Sequence, residues 1–236
     1  MSIERLSASN AAKHMSCHAS ANLELAIPGW TEPTASDTKA SARGTNMHTV
    51  LESSGEFTPS EQMAMAEAML YVAALRKTRR FTQLLEAAGE GWWLKSKPKT
   101  MGDVVLYVAD QLDVVDYKFG KIPVDVLDNK QLFYYALAFS FLAPKAKGVT
   151  VHIVQPLANN ITSVWISTAE LEAFRLESIA AEDAIEAGDT TFGPSENCKF
   201  CPANPHGRGL KGRPFCPAMM KMLYPSHALD VDDVLS

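Results

Sequence analysis

The chain has 236 residues, a formal net charge of −5 and 47% hydrophobic residues. It can fill the core of one large domain, and a polyanion partner would require its cations to be gathered locally. No uninterrupted apolar run is long enough to span a bilayer, and the opening MSIERLSASNAAKH lacks a signal-like apolar core. These features predict a cytoplasmic protein with no membrane partner.

Residues 7–26 predict a helix capped by Ser7 or Ser9 and ended by Pro28-Gly29, with Cys17 in its middle. Residues 28–43 are polar, contain two prolines and read as a loop. Arg43-Gly44-Thr45 then opens a second helix that carries His48 and Glu52 four apart. Such a pair can share a metal ion or form an ordinary surface hydrogen bond. Thr58 or Ser60 caps the longest helix, with apolar positions at Met69, Val72, Ala73 and Leu75. The pattern predicts that this helix runs past Arg76-Lys77-Thr78-Arg79-Arg80 to about Leu85, and that 87–91 breaks it. Trp92-Trp93-Leu94 predicts a first strand over 92–97, followed by the alternation Lys95, Lys97, Lys99.

The chemistry concentrates in 101–142. Two Val/Leu-rich runs, 104–108 and 112–117, flank Ala109-Asp110-Gln111 and predict a β-hairpin. Asp103 stands where the first run begins; Asp116 and Lys118 stand at the end of the second. Strand side chains alternate, so Asp116 and Lys118 share a side of the sheet, and the neighbouring strand can bring Asp103 to them. Two carboxylates that close repel unless a cation lies between them. Mg²⁺ or Mn²⁺ with its waters suits such an oxygen site. The helix predicted over 130–142 places Gln131 and Tyr135 on one face. Strands follow at 149–155 and 161–167, and Thr168 caps a helix that reaches about Gly188. Gln155 and Pro156 end the first of these strands.

Four cysteines remain. Cys198, Cys201 and Cys216 form C-x₂-C-x₁₄-C, and Cys17 lies far upstream. A chain with this much core and no export signal has little need of a disulfide framework, so a metal centre is the expected use. The spacing alone leaves zinc, with His206 or Cys17 as fourth ligand, and an iron–sulfur cluster equally open.

The order of these parts resembles the PD-(D/E)XK nucleases, and among them the RecB-like iron–sulfur branch that includes AddB-type and CRISPR-associated proteins. The resemblance rests on Gly44-Thr45 with His48, on Gly102-Asp103, on Asp116-Tyr117-Lys118, on Gln131 with Tyr135, on Val154-Gln155-Pro156 and on the Phe192-Gly193-Pro194 tail with its cysteines. It extends to small stand-alone phage or prophage proteins. It implies an α/β fold with a central mixed sheet flanked by helices and a C-terminal cysteine-ligated module. The nuclease domain would cover 1–190, the cysteine module 191–225 and an acidic tail 226–236.

By the same resemblance, Asp103, Asp116 and His48 hold Mg²⁺ or Mn²⁺, Lys118 positions the nucleophile, and Gln131 and Tyr135 support the site. Cys17, Cys198, Cys201 and Cys216 ligate a [4Fe-4S] cluster, with structural Zn²⁺ as the alternative. The expected activity is hydrolysis of DNA from an end. The expected partners are DNA and a phage single-strand annealing or recombination protein. A zinc-stapled, non-catalytic DNA-binding module and an RNA-directed nuclease are the alternatives.

Overall fold

The computed structural model describes residues 6–26, 57–201, 203 and 216–218. The chain forms a mixed α/β fold. Its described elements are α1 (Ala11–Ser16), α2 (His18–Ala26), α3 (Pro59–Thr78), β1 (Thr82–Glu90), β2 (Lys99–Val108), β3 (Gln111–Tyr117), α4 (Lys130–Phe139), β4 (Gly148–Gln155), β5 (Asn160–Ser167) and α5 (Thr168–Glu186). The strands lie in the order β1-β2-β3-β4-β5. Only β3 and β4 pair parallel, so α4 is the crossover that a parallel pair requires.

The sequence readings need three corrections. First, α3 stops at Thr78, and 82–90 is the edge strand β1 rather than the end of a helix and its breaker. The β-branched Thr82 and the run Gln83-Leu84-Leu85 pair with β2, so sheet pairing overrides a weak helical pattern. Second, the strand expected at 92–97 is a turn segment, because the edge of the sheet is already occupied by β1. Third, the single N-terminal helix is two helices. Cys17, extended at φ −148°, ψ 91°, separates them. The central hairpin forms as expected, but β2 begins at Lys99, so Asp103 lies within the strand rather than at its start.

Two compact units are distinguished. One joins 57–92 to 99–175 and contains the sheet; the other joins 6–26, 93–98 and the described residues from 176 onward. In the sheet unit, α3 begins with a capping box between Thr58 and Glu61 and packs Ala68 and Val72 on Val104, Leu106, Val115, Tyr117 and Val154. A buried polar chain ties the same helix to the sheet: Tyr71 Oη lies 3.0 Å from His152 Nδ1, and His152 Nε2 lies 3.1 Å from Asp113 Oδ1.

α4 is nearly all buried after Gln131, and its last residue, Phe139, is 1% exposed. The Phe139 ring lies against Gly102 and Gly89: a Cβ on Gly102 would stand 2.8 Å from the ring, and one on Gly89 2.9 Å. Glycine at 102 therefore lets α4 close onto β1 and β2 next to Asp103. Asn129 caps the other end of α4, accepting from the N–H groups of Gln131 and Leu132.

In the second unit, Trp93 donates to Ser178 Oγ at 2.9 Å, and the buried Glu182 accepts from the N–H groups of Lys95 and Ser96. No described helix is long and apolar enough to cross a membrane.

Candidate active site

The register of β2 and β3 explains how the two acids meet. Val104 pairs with Val115, so Asp103 and Asp116 follow as the next opposed positions. The ladder ends there because the Asp103 carboxylate replaces a backbone partner: Asp103 Oδ2 accepts from the Tyr117 N–H at 2.6 Å. Asp116 is 3% exposed. Lys118 lies two residues on, held in line by its N–H bond to the Val154 carbonyl. Its ammonium donates to Asp116 Oδ1 at 3.1 Å and to Gln131 Oε1 at 3.3 Å. Gln131 Nε2 in turn donates to Tyr135 Oη at 2.8 Å. Asp103, Asp116, Lys118, Gln131 and Tyr135 thus form one contiguous set drawn from β2, β3 and α4.

The electrostatics are those of two buried acids held close together beside one amine. Burial first, and the charge of Asp116 second, push Asp103 up to about 8; the Tyr117 N–H and Lys118 offset this only in part. Burial works against the Lys118 charge, but the charge and hydrogen bond of Asp116, with Asp103 behind them, hold the amine above the ordinary lysine range. Burial, Asp116 and Asp103 raise Tyr135, which also bonds Thr100. Its phenol stays protonated. Among the described residues, Asp116 Oδ2 is buried and receives no hydrogen bond. Lys118 Nζ lies 2.8 Å from it as an ion-pair partner.

A residue the sequence reading did not single out also acts on this pocket. Glu86 lies opposite Asp103, between the pairs Leu85–Val104 and Ala87–Gly102, and its charge raises Asp103 further. It has φ +43°, a left-handed conformation that costs a side-chain-bearing residue free energy. A segment read as helix gave no signal for it. His48 and Glu52 lie outside the described residues. Among the described residues, no group of three or more His, Cys, Asp or Glu side chains is arranged to hold a metal ion.

Of the basic stretches, Lys95 is engaged with Asp183 at 2.6 Å and Glu186 at 3.0 Å. Arg79 bonds Asp110 and Gln111 at the β2–β3 turn. With Arg76, Lys77, Arg80 and Phe81 it lines an open basic concavity.

The cysteines share a cavity within the second unit, without the arrangement of a metal-holding group. Cys17, Cys198, Cys201 and Cys216 line one cavity beside Phe192 and Gly193, and none is in a disulfide. A Cβ on Gly193 would collide with the Ser16 carbonyl, so glycine there permits the backbone approach that brings Cys17 to the other three. Cys198 Sγ accepts the Ser195 N–H at 3.2 Å, as thiolates bound to metals commonly do. Next to the cavity, His18 pairs with Asp189 at 2.7 Å, which lowers Asp189 to about 2.

Comparison with known proteins gives one family: residues 93–213 match the family described as "Protein of unknown function (DUF2800)". No curated protein matches. Among solved structures, the one titled "Crystal structure of SSO0001" is similar at 16% identity, over 61% of this chain and 68% of that chain, with a TM-score of 0.34.

Proposed function

The chain belongs to the DUF2800 family, and we propose that it is a divalent-metal-dependent DNA nuclease of the PD-(D/E)XK, RecB-like type. The observation that carries this reading is the joint placement of Asp103, Asp116 and Lys118, with Gln131 bonded to the same amine. Two features fit a Mg²⁺ or Mn²⁺ ion. The charge of Asp116 raises the cost of ionising the buried Asp103, and among the described residues a buried oxygen of Asp116 has no hydrogen bond beside its ion-pair contact with Lys118. An added cation relieves the first and occupies the second. When bound, the ion would polarise the scissile phosphate and lower the pKa of its water.

The chain's own residues supply the rest. Because Asp116 and Asp103 keep Lys118 protonated, it serves as a hydrogen-bond donor and positive charge toward the attacking water or the phosphate oxygens, not as a base. Gln131 fixes the direction of the ammonium, and Tyr135 fixes Gln131. The reaction is hydrolysis: water oxygen bonds to phosphorus and the bond from phosphorus to the leaving sugar oxygen breaks. His48 is a further proposed ligand, and DNA ends are the proposed substrate.

For the cysteines, a single metal centre held by all four is proposed, a [4Fe-4S] cluster ahead of Zn²⁺. Four cysteines lining one cavity are the donor set that either would use. A phage annealing or recombination protein is the proposed partner. The nuclease reading is tested by incubating end-labelled DNA oligonucleotides with the protein and Mn²⁺. The expected result is shortened products with wild type and none with Asp116→Asn; uncut DNA across a range of ends would contradict it.

A further inference from the structure

The cations at the C-terminal end of α3 stand apart from the paired acids, within the unit that contains the sheet. Arg79 is pinned to the β2–β3 turn, donating to Asp110 Oδ2 at 2.9 Å and to Gln111 Oε1 at 3.1 Å. Arg76, Lys77 and Arg80 line an open concavity with it, together with Ala73 and Phe81. Lys145 reaches the same turn from the segment before β4, its N–H bonding the Ala109 carbonyl at 2.9 Å. Arg79 first, and Lys145 with it, hold the Asp110 carboxylate below its ordinary range. Arg76, Lys77, Arg80 and Lys145 are exposed and form no ion pair among the described residues. A helix C-terminus favours cations at 76 and 77, but it explains neither Arg80 nor Lys145. Uncompensated positive charge is thus gathered at one place in a chain of net charge −5.

This group is remote from Asp103 and Asp116. Val108 pairs with Gln111 at the turn end of the hairpin, and the acids stand five residues away along each strand, about 17 Å. The acids also point to the other face of the sheet, because their neighbours Val104 and Val115 face α3. The concavity is therefore a separate site, and its lining defines what it can hold. Arginine binds phosphate oxygens through paired N–H groups, and lysine adds point charges. Phe81 is half-buried and packed on the core, so charge and not base stacking does the holding. A duplex carries one negative charge per about 1.7 Å of axis, twice the density of either strand alone, and so matches clustered cations best.

We propose that Arg76, Lys77, Arg80 and Lys145, framed by Arg79, are an anchoring site for the phosphate backbone of double-stranded nucleic acid, holding the flank of the substrate at least about five nucleotides from the cleaved bond. The hold is independent of sequence and separate from the paired acids. It rests on the nuclease reading for the identity of the polyanion, and its test needs no cleavage.

Binding of a fluorescent DNA duplex of roughly 30 base pairs is measured by anisotropy in EDTA at several salt concentrations. Arg76→Ala/Lys77→Ala/Arg80→Ala should weaken binding at low salt by at least about tenfold and reduce the slope of log affinity against log salt by about two to three. Lys145→Ala, on a different segment, should reduce the slope by about one. Arg76→Lys/Arg80→Lys keeps the charge and should keep the slope. Unchanged slopes in the alanine variants, or a slope lowered as much by the lysine variant, overturn the proposal. Tighter binding of wild type to poly-glutamate than to the duplex, abolished by the triple change, assigns the surface to an acidic protein and also overturns it. Mn²⁺-dependent cleavage is scored separately. Wild type that binds duplex through these cations but cuts nothing overturns the nuclease reading and leaves the anchor in place. Wild type that cuts, with the triple variant binding as tightly, overturns the anchor alone.

Discussion

Lys118 and Gln131 are thirteen positions apart on different elements, yet the ammonium of one donates to the amide oxygen of the other at 3.3 Å. This bond joins the end of the central hairpin to the start of the crossover helix, and it fixes an amine that Asp116 already holds at Oδ1. The site is thus over-determined from two directions.

Metal binding should depend on pH in a defined direction. Asp103 is raised to about 8 by burial and by Asp116. The unfolded chain loses that proton near the ordinary carboxylate value, about 3.9. Between these values the folded state holds a proton the unfolded state has released, so stability without metal falls as pH rises through this window and levels off above about 8. A bound cation needs the carboxylate ionised and must expel the same proton. Mn²⁺ affinity should therefore rise with pH by up to about tenfold per unit and flatten above about 8. The check is the Mn²⁺-induced rise in Tm at pH 6.5 and 8.5. Asp103→Asn should lose this response and, without metal at pH 8.5, melt several degrees above wild type.

Gly102→Ala should destabilise the protein by about 1–3 kcal/mol, because the new methyl group meets the buried Phe139 ring at 2.8 Å. The displaced helix carries Gln131 and Tyr135, so the proposed nuclease activity should fall more than stability alone explains. Thermal unfolding together with activity measured well below Tm separates the two. An Ala variant with wild-type Tm would show that α4 does not press on β2.

The hairpin, its acids and the Gln131/Tyr135 helix were legible because period-two and period-four spacing put chemically matched side chains on shared faces. The cysteine set was legible from type and spacing, although spacing gave no sign that Gly193 lets two backbone segments touch. β1 was not legible. Its run of Leu, Ala and Gly has little strand character by itself, and β2 supplies the hydrogen bonds that make it a strand. Glu86 was hidden with it. Gln155 was visible as a polar strand end and as part of the Val154-Gln155-Pro156 motif, but its bonds to Gly120 and Ile122 were not, since these partners lie on a loop more than thirty residues earlier.

The cysteine cavity predicts a coloured protein. Purified without oxygen, it should be brown, with absorbance near roughly 400 nm from thiolate-to-iron charge transfer, and should contain about four irons. Cys17→Ser should bleach it, and so should Gly193→Ala, whose added methyl group collides with the Ser16 backbone. A colourless protein with one zinc per chain would assign the cavity to zinc.

The most direct measurement concerns Lys118→Ala. DNA binding and Mn²⁺-dependent cleavage are followed for the variant and wild type in parallel. The account predicts that the variant still binds DNA and Mn²⁺, retains its fold, and cleaves at least about a hundredfold more slowly, since it loses the ammonium that the proposed mechanism directs at the phosphate or its attacking water. A variant that cuts DNA at the wild-type rate would contradict it.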